Sequence, residues 1–352
     1  MSRVKIGIIG CGDMAKVHAA GLVQIEEAEI TALCDTSNDR LEAIKKLLPQ
    51  ATPAVYSDYR ELLLDKNVDA VLVALPNFLH LEVGLAAFEH GKHILMEKPM
   101  GRNTEECDAL ICMAEEKGLV LQSGMLLRYA PVYKAIEEHL AMPGAGEPSI
   151  AWVNEFRANF PHKWRYSQSL TGGALVEKCC HHFDLFNWWV GELPESVMAT
   201  GGQNVIKNRQ PYHVYCPPTE EFEIDDATII DHAAVSINYP GGAKANLLLS
   251  LHLDFDASAD GYEAGLVTTT GKRLVTNGQH LTAYGFGDAK HAVEIDTGQG
   301  KDLPLLGEDR EFVQSILLGR KPFTDGKVGR DSVRVGELAE LSIAKGGEKI
   351  PF

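Results

Sequence analysis

The chain has 352 residues, of which 45% are hydrophobic and 23% charged, so it can bury the cores of two globular domains. Its 49 Asp and Glu residues outnumber 33 Lys and Arg residues, giving a formal net charge of −16. This excess argues against nonspecific binding to nucleic acid or to an anionic membrane. Seven cysteines without paired spacing indicate reduced thiols. The sequence also lacks a secretory or membrane-length apolar run, and we expect a cytoplasmic protein.

The first predicted element is a buried parallel strand over 4–9, which leads directly into Gly10-Cys11-Gly12-Asp13-Met14-Ala15. This G-x-G-x-x-A pattern is typical of a dinucleotide-binding turn. Gly10 allows the tight turn, Gly12 lets the backbone approach a pyrophosphate, and Ala15 keeps the next helix close to its strand. The free N–H groups of that helix would face the phosphates. We therefore predict cofactor contacts at Gly10, Gly12, Asp13 and Met14.

The second predicted strand, over 29–35, ends in Asp35 at roughly the 20-residue offset that the dinucleotide-binding pattern requires. Asp35 can accept hydrogen bonds from a ribose hydroxyl pair and would repel a 2′-phosphate, which favours NAD. Arg40 lies close enough in sequence to soften that preference, so NADP stays possible. The alternative without a nucleotide is a glycine-rich turn followed by a surface Asp.

Strand and helix patterns alternate through the rest of the first third. Helices are predicted over 41–48, 56–64, 80–90 and 104–117, and strands over 68–75 and 93–96. Ligands bind at the carboxyl ends of the strands in an open parallel sheet. Those ends carry Pro76, Asn77 and His80, and then Glu97 and Lys98. We predict that these five residues face the cofactor, with a capping or packing role as the alternative for His80. The first domain is predicted over 1–124 as a doubly wound parallel α/β sheet.

Beyond Gly124 the pattern changes to alternating apolar and polar residues. The runs over 229–239 and 244–253 flank a glycine-rich turn and predict an antiparallel hairpin, and 266–276 predicts another. The second domain, over 125–352, is thus predicted to be α+β with a mostly antiparallel open sheet whose free face could meet another subunit. The stretch 204–223 contains three prolines and is predicted to be a long loop.

The densest cluster of reactive side chains follows Gly172-Gly173. If this stretch is helical, Glu177, His181 and Asp184 share one face, because they are spaced at i, i+4 and i+7. A carboxylate beside an imidazole can orient its tautomer and adjust its pKa for proton transfer. One alternative is a helix whose polar residues only cap and bridge domains. A metal site is a second, but neither i, i+4 pair supplies three convergent ligands.

Together these motifs resemble the Gfo/Idh/MocA oxidoreductase family, which includes inositol dehydrogenase and glucose-fructose oxidoreductase. The resemblance covers nearly the whole chain. It rests on Gly10-x-Gly12-x-x-Ala15, Asp35, Pro76-Asn77-x-x-His80, Glu97-Lys98-Pro99, Arg128-Tyr129-x-Pro131-x-Tyr133 and Gly172-Gly173 leading to His181-x-x-Asp184. It implies a Rossmann domain that binds NAD or NADP, a small-molecule substrate and a homo-oligomer.

The resemblance also implies a catalytic group made of Lys98, Glu177 and His181, placed around the substrate carbon. His181 would act as general base toward the alcohol, Lys98 would hydrogen-bond the same oxygen, and Glu177 would orient one of them or bind a neighbouring hydroxyl. Position 177 is Glu where the family commonly has Asp, and Lys178-Cys179 replaces an apolar residue and a glycine. Lys178 could be a second contact to the substrate, or else a surface or salt-bridged lysine.

The expected substrate is a sugar or a cyclic polyol, because polar and aromatic residues gather before and after the Gly-Gly motif. The candidate substrate-binding residues are Arg128, Tyr129, Asn154, Arg157, Trp164, Arg165, Lys178 and His182. Two other functions stay open. An enzyme that retains NAD could oxidise transiently in order to eliminate or to cleave a glycoside, and a nucleotide-binding sensor would have no catalysis at all.

Overall fold

A computed structural model of the chain describes residues 3–48, 52–209, 211–216, 220–253, 261–286, 293–295 and 303–352. They form two compact units, one from 1–129 with 300–330 and the other from 130–299 with 331–352. The chain therefore returns to its first unit after most of the second. The single boundary near Gly124 stays a prediction. None of the described helices is both long and apolar enough to cross a membrane.

The regular elements are numbered along the chain. The helices are α1 (Asp13–Leu22), α2 (Asn38–Lys45), α3 (Tyr59–Leu64), α4 (His80–Glu89), α5 (Thr104–Lys117), α6 (Pro131–Leu140), α7 (Gln168–Thr171), α8 (Ala174–Val190), α9 (Leu303–Leu318) and α10 (Gly326–Ala344). The strands are β1 (Val4–Ile9), β2 (Ala28–Cys34), β3 (Ala54–Tyr56), β4 (Ala70–Val73), β5 (His93–Met96), β6 (Leu121–Ser123), β7 (Pro148–Phe156), β8 (Ser196–Gly202), β9 (Tyr212–Cys216), β10 (Glu220–Ile224), β11 (His232–Asn238), β12 (Lys244–Ser250), β13 (Tyr262–Thr268), β14 (Arg273–Thr276), β15 (Leu281–Tyr284), β16 (Val293–Ile295) and β17 (Ile350–Pro351).

The first unit is built on a six-stranded sheet with the order β3-β2-β1-β4-β5-β6, in which all neighbours are parallel. Its central strands are largely apolar because both faces are covered: Ile6, Ile8 and Ile9 of β1 are at most 1% exposed. The predicted doubly wound parallel sheet is confirmed. The strand order reverses between β1 and β4, which is where such sheets bind ligands.

Helix α9 completes the core of this unit although it comes from the far end of the sequence. Phe312 and Val313 of α9 are fully buried and belong to one hydrophobic cluster with Ala15 and Ala19 of α1 and Ile8 of β1. The predicted helix over 104–117 is also present as α5. Its N-cap, Asn103, accepts the backbone N–H of Glu106 at 2.9 Å.

The second unit contains a nine-stranded sheet with the order β16-β15-β14-β13-β7-β12-β11-β8-β17. Only β7 and β12 run parallel among its pairs, and the others are antiparallel. The two predicted hairpins are β11-β12 and β13-β14. Their alternation decides what is buried: Val235 and Ile237 of β11 face the core with Leu247 and Leu249 of β12. The predicted α+β domain with a mostly antiparallel sheet is confirmed.

The long loop predicted over 204–223 is wrong in its second half. Strands β9 and β10 pair there as an antiparallel hairpin. Tyr212 and Val214 are at most 6% exposed, so residues two apart bury one face of the hairpin. Pro211 precedes β9 and leaves the ladder intact, while Pro217 and Pro218 lie outside the described residues.

Candidate active site

The glycine turn of the first unit lies at the switch point between β1 and β4. Gly10 follows β1 with a φ of +87°, a conformation that a side chain disfavours. A Cβ atom at Gly10 would lie 2.4 Å from the carbonyl oxygen of Ala74, just after β4. Glycine is therefore required here both by the backbone angle and by the close approach of the two strand ends.

Gly12 is glycine for a different reason. It is the N-cap of α1. Among the described residues, no side chain caps the free N–H groups of this helix, and no atom lies within 4 Å of where a Cβ atom would be. No internal contact therefore demands glycine, whereas a phosphate approaching the helix N-terminus would. Met14 is 37% exposed, and Asp13 pairs with Lys16 at 2.9 Å. These residues fit the pyrophosphate of a dinucleotide.

Asp35 joins the glycine turn to the end of β2. Its carboxylate accepts the backbone N–H groups of Cys11 and Ser37, each at 2.8 Å. Arg40 reaches Asp35 at 4.0 Å, and the Asp35 side chain is only 7% exposed. The carboxylate has lone pairs left for a ribose hydroxyl pair. Burial and the charge of Asp35 raise the pKa of Cys11 to about 12, so this thiol stays protonated.

Strand β4 is followed by Pro76 and Asn77, and Asn77 is 3% exposed. His80, at the start of α4, is fully buried. Its Nε2 lies 2.8 Å from the carbonyl oxygen of Leu75 and its Nδ1 lies 2.9 Å from that of Pro99. Both ring nitrogens of His80 thus bind backbone, and the side chain ties the end of β4 to the segment after β5.

Lys98 lies two residues after the end of β5, at the carboxyl edge of the parallel sheet. Its backbone N–H donates to the Glu97 carboxylate at 3.0 Å. The other Glu97 oxygen lies 2.9 Å from Nε2 of His18 on α1. The Glu97 side chain is only 6% exposed. Glu97 therefore supports the lysine segment from inside the unit.

Arg128 and Tyr129 belong to the first unit and pack against the segment after α9. The Tyr129 hydroxyl lies 3.1 Å from the Thr324 hydroxyl, and its ring meets that of Phe323 edge-on at 6.1 Å. The Arg128 guanidinium lies over the same ring at 5.1 Å. Both residues are at most 9% exposed, so much of each side chain is used for packing.

In the second unit, helix α8 carries the polar face predicted from the sequence. It begins after Gly173, and Glu177, His181 and Asp184 are 1%, 7% and 2% exposed. They lie at i, i+4 and i+7 of one continuous helix, so they share a buried face. The helix on which this shared face depends is therefore confirmed, and the pairing of Glu177 with His181 stays a prediction.

Glu177 is held by Arg165, whose guanidinium lies 3.4 Å from the carboxylate. Arg165 also lies 5.3 Å from the ring of Trp164 and 6.0 Å from that of Phe160. The side chain of Arg165 is 25% exposed, whereas that of Glu177 is 2% exposed. The buried carboxylate is thus neutralised by a cation that still reaches solvent.

Glu155 on β7 is the residue that sequence reasoning missed. Its carboxylate lies 3.2 Å from Lys178, 3.2 Å from Nε2 of His182 and 4.0 Å from Arg157. Burial would raise the pKa of Glu155, but the neighbouring Lys178 and His182 hold it well below its usual range. Burial lowers the pKa of His182, which therefore stays neutral. Glu155 gathers three of the predicted substrate-binding residues.

Asn154, by contrast, is separated from this cluster. Successive residues of a strand face opposite sides of the sheet, and Glu155 faces α8. Asn154 pairs in register with Leu248 of β12, which is 43% exposed. The alternation along β7 was a signal in the sequence that favours Glu155 over Asn154.

Among the described residues, no group of three or more His, Cys, Asp or Glu is arranged to hold a metal.

Family models match both parts of the chain. Residues 4–125 match the "Oxidoreductase family, NAD-binding Rossmann fold", and residues 149–351 match the "Oxidoreductase family, C-terminal alpha/beta domain". This chain belongs to the Gfo/Idh/MocA oxidoreductase family. Its first unit is therefore an NAD-binding Rossmann domain, in agreement with the open approach at Gly12 and the acid at position 35.

Similarity to known proteins covers nearly the whole chain. Myo-inositol 2-dehydrogenase of Thermotoga maritima is 29% identical over 346 residues, covering 97% of this chain and 96% of the relative. Levoglucosan dehydrogenase of Pseudarthrobacter phenanthrenivorans is 26% identical over 58% of this chain and 59% of its own. A structure of a levoglucosan dehydrogenase in complex with NADH superposes with a TM-score of 0.84 over 99% of both chains at 20% identity, which shows a shared fold.

Proposed function

We propose that this member of the family is an NAD-dependent dehydrogenase that oxidises a secondary alcohol of a sugar or a cyclic polyol. The observation that carries the proposal is the position of Lys98, two residues after the end of β5 at the ligand-binding edge of an NAD-binding sheet. The names of the relatives, which act on an inositol and on levoglucosan, support the substrate class.

The proposed chemistry divides the work between cofactor and protein. Bound NAD would supply the hydride acceptor. His181 would take the hydroxyl proton as general base, and Lys98 would donate a hydrogen bond to the same oxygen as charge develops there. Glu177 would orient the reacting groups or bind a neighbouring hydroxyl, with its charge balanced by Arg165 at 3.4 Å.

The preference for NAD over NADP is part of the proposal. Asp35 carries a negative charge next to the glycine turn and would disfavour a 2′-phosphate. Arg40 lies 4.0 Å from that carboxylate and is 56% exposed at its side chain, so it is the cation that could serve NADP if Asp35 were absent.

Substrate contacts are proposed for the half-exposed cations and for the neutral imidazole around α8. Arg157, Arg165 and Lys178 are 22–29% exposed at their side chains and pair with carboxylates, which supports a polar wall. Trp164 beside Arg165 supplies an aromatic surface on which a sugar ring could lie. Arg128 and Tyr129 are also proposed as substrate-binding residues.

We also infer a homo-oligomer. The sheet face of the second unit that faces away from α8 carries Ile150, Met198 and Leu248, each more than 40% exposed. Such a patch is typical of an interface, and a partner copy would cover it. Six cysteines among the described residues are free thiols, which supports a reducing compartment such as the cytoplasm.

The test is a panel of inositols, monosaccharides and glycosides, each supplied with NAD⁺ and with NADP⁺. The proposal expects net formation of reduced nicotinamide, with NAD⁺ preferred. An enzyme with a retained cofactor would instead release NAD on denaturation and convert a glycoside without net reduction. If no member of the panel reacts in either way while NAD⁺ binds, the dehydrogenase proposal fails and a sensor is favoured.

A further inference from the structure

One buried group of ionisable residues has no place in the proposed chemistry. His18 of α1 is fully buried, and its two ring nitrogens bind two different carboxylates. Nε2 lies 2.9 Å from Glu97 and Nδ1 lies 2.6 Å from Asp309 of α9. Glu308, next to Asp309, is also fully buried. All four residues belong to the first unit.

The geometry fits a charged imidazole. Two carboxylate acceptors can be satisfied by one ring only when both nitrogens carry hydrogen. Burial would lower the pKa of His18, but Asp309 and Glu97 raise it well above its usual value. Burial would likewise raise the pKa of Glu97, which the bond to His18 and nearby charges lower. An imidazolium bonded to the Glu97 carboxylate is therefore the stable form at neutral pH.

The remaining charges around the imidazolium leave this arrangement intact. Burial raises the pKa of Glu308 well above its usual value, so this side chain stays neutral. Burial also raises the pKa of Asp309, against the opposing effect of His18. The Lys98 charge further favours the ionised form of Glu97. His18 thus adds a hydrogen-bonded positive charge that compensates the buried Glu97 carboxylate.

The Glu97 carboxylate connects His18 to the backbone of Lys98. One of its oxygens binds His18 and the other accepts the Lys98 backbone N–H at 3.0 Å. Gly124 closes the opposite side: a Cβ atom there would lie 3.1 Å from Glu97 Cα and 3.2 Å from the Lys98 nitrogen. The carboxylate that accepts the Lys98 backbone N–H is therefore the same one that His18 binds.

We propose that His18 is a positioning residue for Lys98. His18 holds the Glu97 carboxylate, so that the catalytic lysine keeps a fixed position relative to α1, the helix that starts at the glycine turn. The proposal rests on the proposed dehydrogenase function for its catalytic consequence, but not for its structural one. The His18 ring binds carboxylates only, among the contacts described, so its loss should affect turnover more than NAD⁺ binding.

The test compares His18→Gln with His93→Gln in the full-length protein. His93 is at the opposite end of β5, and its Nδ1 accepts the Val120 N–H at 2.9 Å, so its replacement controls for loss of a hydrogen-bonded histidine on the lysine's own strand. Glutamine at position 18 carries no charge, so it cannot replace the imidazolium that donates to both carboxylates. Hydrogen exchange at the Lys98 amide, kcat, KM and the Kd for NAD⁺ are measured for each.

We expect His18→Gln to speed exchange of the Lys98 amide by at least about tenfold and to lower kcat by about tenfold or more, with the Kd for NAD⁺ changed by less than about threefold. His93→Gln should leave Lys98 exchange and kcat within about twofold of the wild type. Unchanged Lys98 exchange in a folded His18→Gln protein would overturn the proposal, as would an equal effect of both variants. The exchange measurement decides even if no substrate is turned over, so the two proposals fail separately.

Glu97→Asp provides a second route if His18→Gln does not fold. The shorter side chain keeps its charge but cannot span the distance from His18 to the Lys98 nitrogen. It should speed Lys98 exchange to a similar extent and lower kcat while His18 is still present. Wild-type exchange and kcat in folded Glu97→Asp would contradict the bridging role of the carboxylate.

Discussion

The carboxylate of Glu340 on α10 accepts the backbone N–H of Leu175 at 3.1 Å, at the start of the helix that carries Glu177 and His181. The backbone N–H of Ala174 also binds this carboxylate. A side chain from the end of the sequence thus caps α8, which has no capping side chain of its own at Gly173.

This cap predicts a pH-dependent contribution to stability. Burial raises the pKa of Glu340 from 4.5 to about 7, against the two helix N–H bonds, which lower it. Because the folded pKa is the higher one, the stabilisation is complete below the unfolded pKa and is lost as the pH rises through the folded pKa. The free energy of unfolding should lose on the order of 1–3 kcal/mol from this group between about pH 5 and pH 8.

Chemical denaturation across that pH range checks the effect. In Glu340→Gln this part of the slope should disappear. The free energy of unfolding of the wild type should therefore fall relative to that of the variant as the pH rises. Glu337→Gln on the same helix is the matched control and should follow the wild type. Parallel curves for wild type and Glu340→Gln would refute the assignment.

Gly173 should tolerate no side chain, for two separable reasons. Its φ is +107°, and a Cβ atom would lie 2.4 Å from the Glu340 carboxylate oxygen. Gly191 at the other end of α8 has a φ of +74°, and no atom of the residues that the structure describes lies within 4 Å of where its Cβ atom would be, so Gly191→Ala measures backbone strain alone. We expect about 1 kcal/mol of destabilisation for Gly191→Ala and roughly 2–4 kcal/mol for Gly173→Ala, measured by denaturation. Equal costs would show that Glu340 gives way freely.

Coenzyme selectivity should depend on Asp35. In Asp35→Asn the negative charge is lost, and one of the N–H groups of Cys11 and Ser37 faces an amide NH₂ instead of an oxygen. The Kd for NAD⁺ should rise about tenfold while that for NADP⁺ rises less or falls, as measured by titration. Adding Arg40→Ala should remove any gain for NADP⁺. An unchanged ratio of the two Kd values would sink the assigned role.

The length of the side chain at position 177 should matter for turnover. In the wild type the Glu177 carboxylate lies 3.4 Å from Arg165, and Glu177→Asp withdraws it by roughly one C–C bond. We expect kcat/KM to fall by about 10- to 100-fold with little loss of thermal stability. Glu192→Asp, which shortens a surface carboxylate bonded to the Gly241 N–H, is the control. Full activity in Glu177→Asp would mean that this carboxylate acts only through its charge.

The parts that the sequence predicted best are those coded by neighbouring residues. The glycine turn, Asp35 and the spacing of Glu177 and His181 are local patterns, and the structure contains the turn and the helix that they imply. Glu155 escaped notice because its meaning depends on which face of β7 packs against α8, a tertiary fact that strand alternation only narrows to one of two choices.

Contacts between distant segments were the other gap. The bond from His18 to Asp309 joins positions 291 residues apart, and no periodic pattern indicates which helix will complete a core. The same is true of Glu340, an ordinary helical glutamate in sequence. The hairpin of β9 and β10 was missed for a local reason, because three prolines outweighed a short alternation that began at Tyr212.

Transfer of deuterium tests the central claim most directly. The substrate that responds best in the panel, beginning with myo-inositol, is supplied with deuterium on its ring carbons together with NAD⁺, and the coenzyme is then isolated for NMR and mass analysis. The account predicts reduced nicotinamide carrying one deuterium at C4, and loss of this product by about 100-fold or more in Lys98→Met. Turnover of the substrate without deuterium in the coenzyme, or an undiminished yield from Lys98→Met, would contradict it.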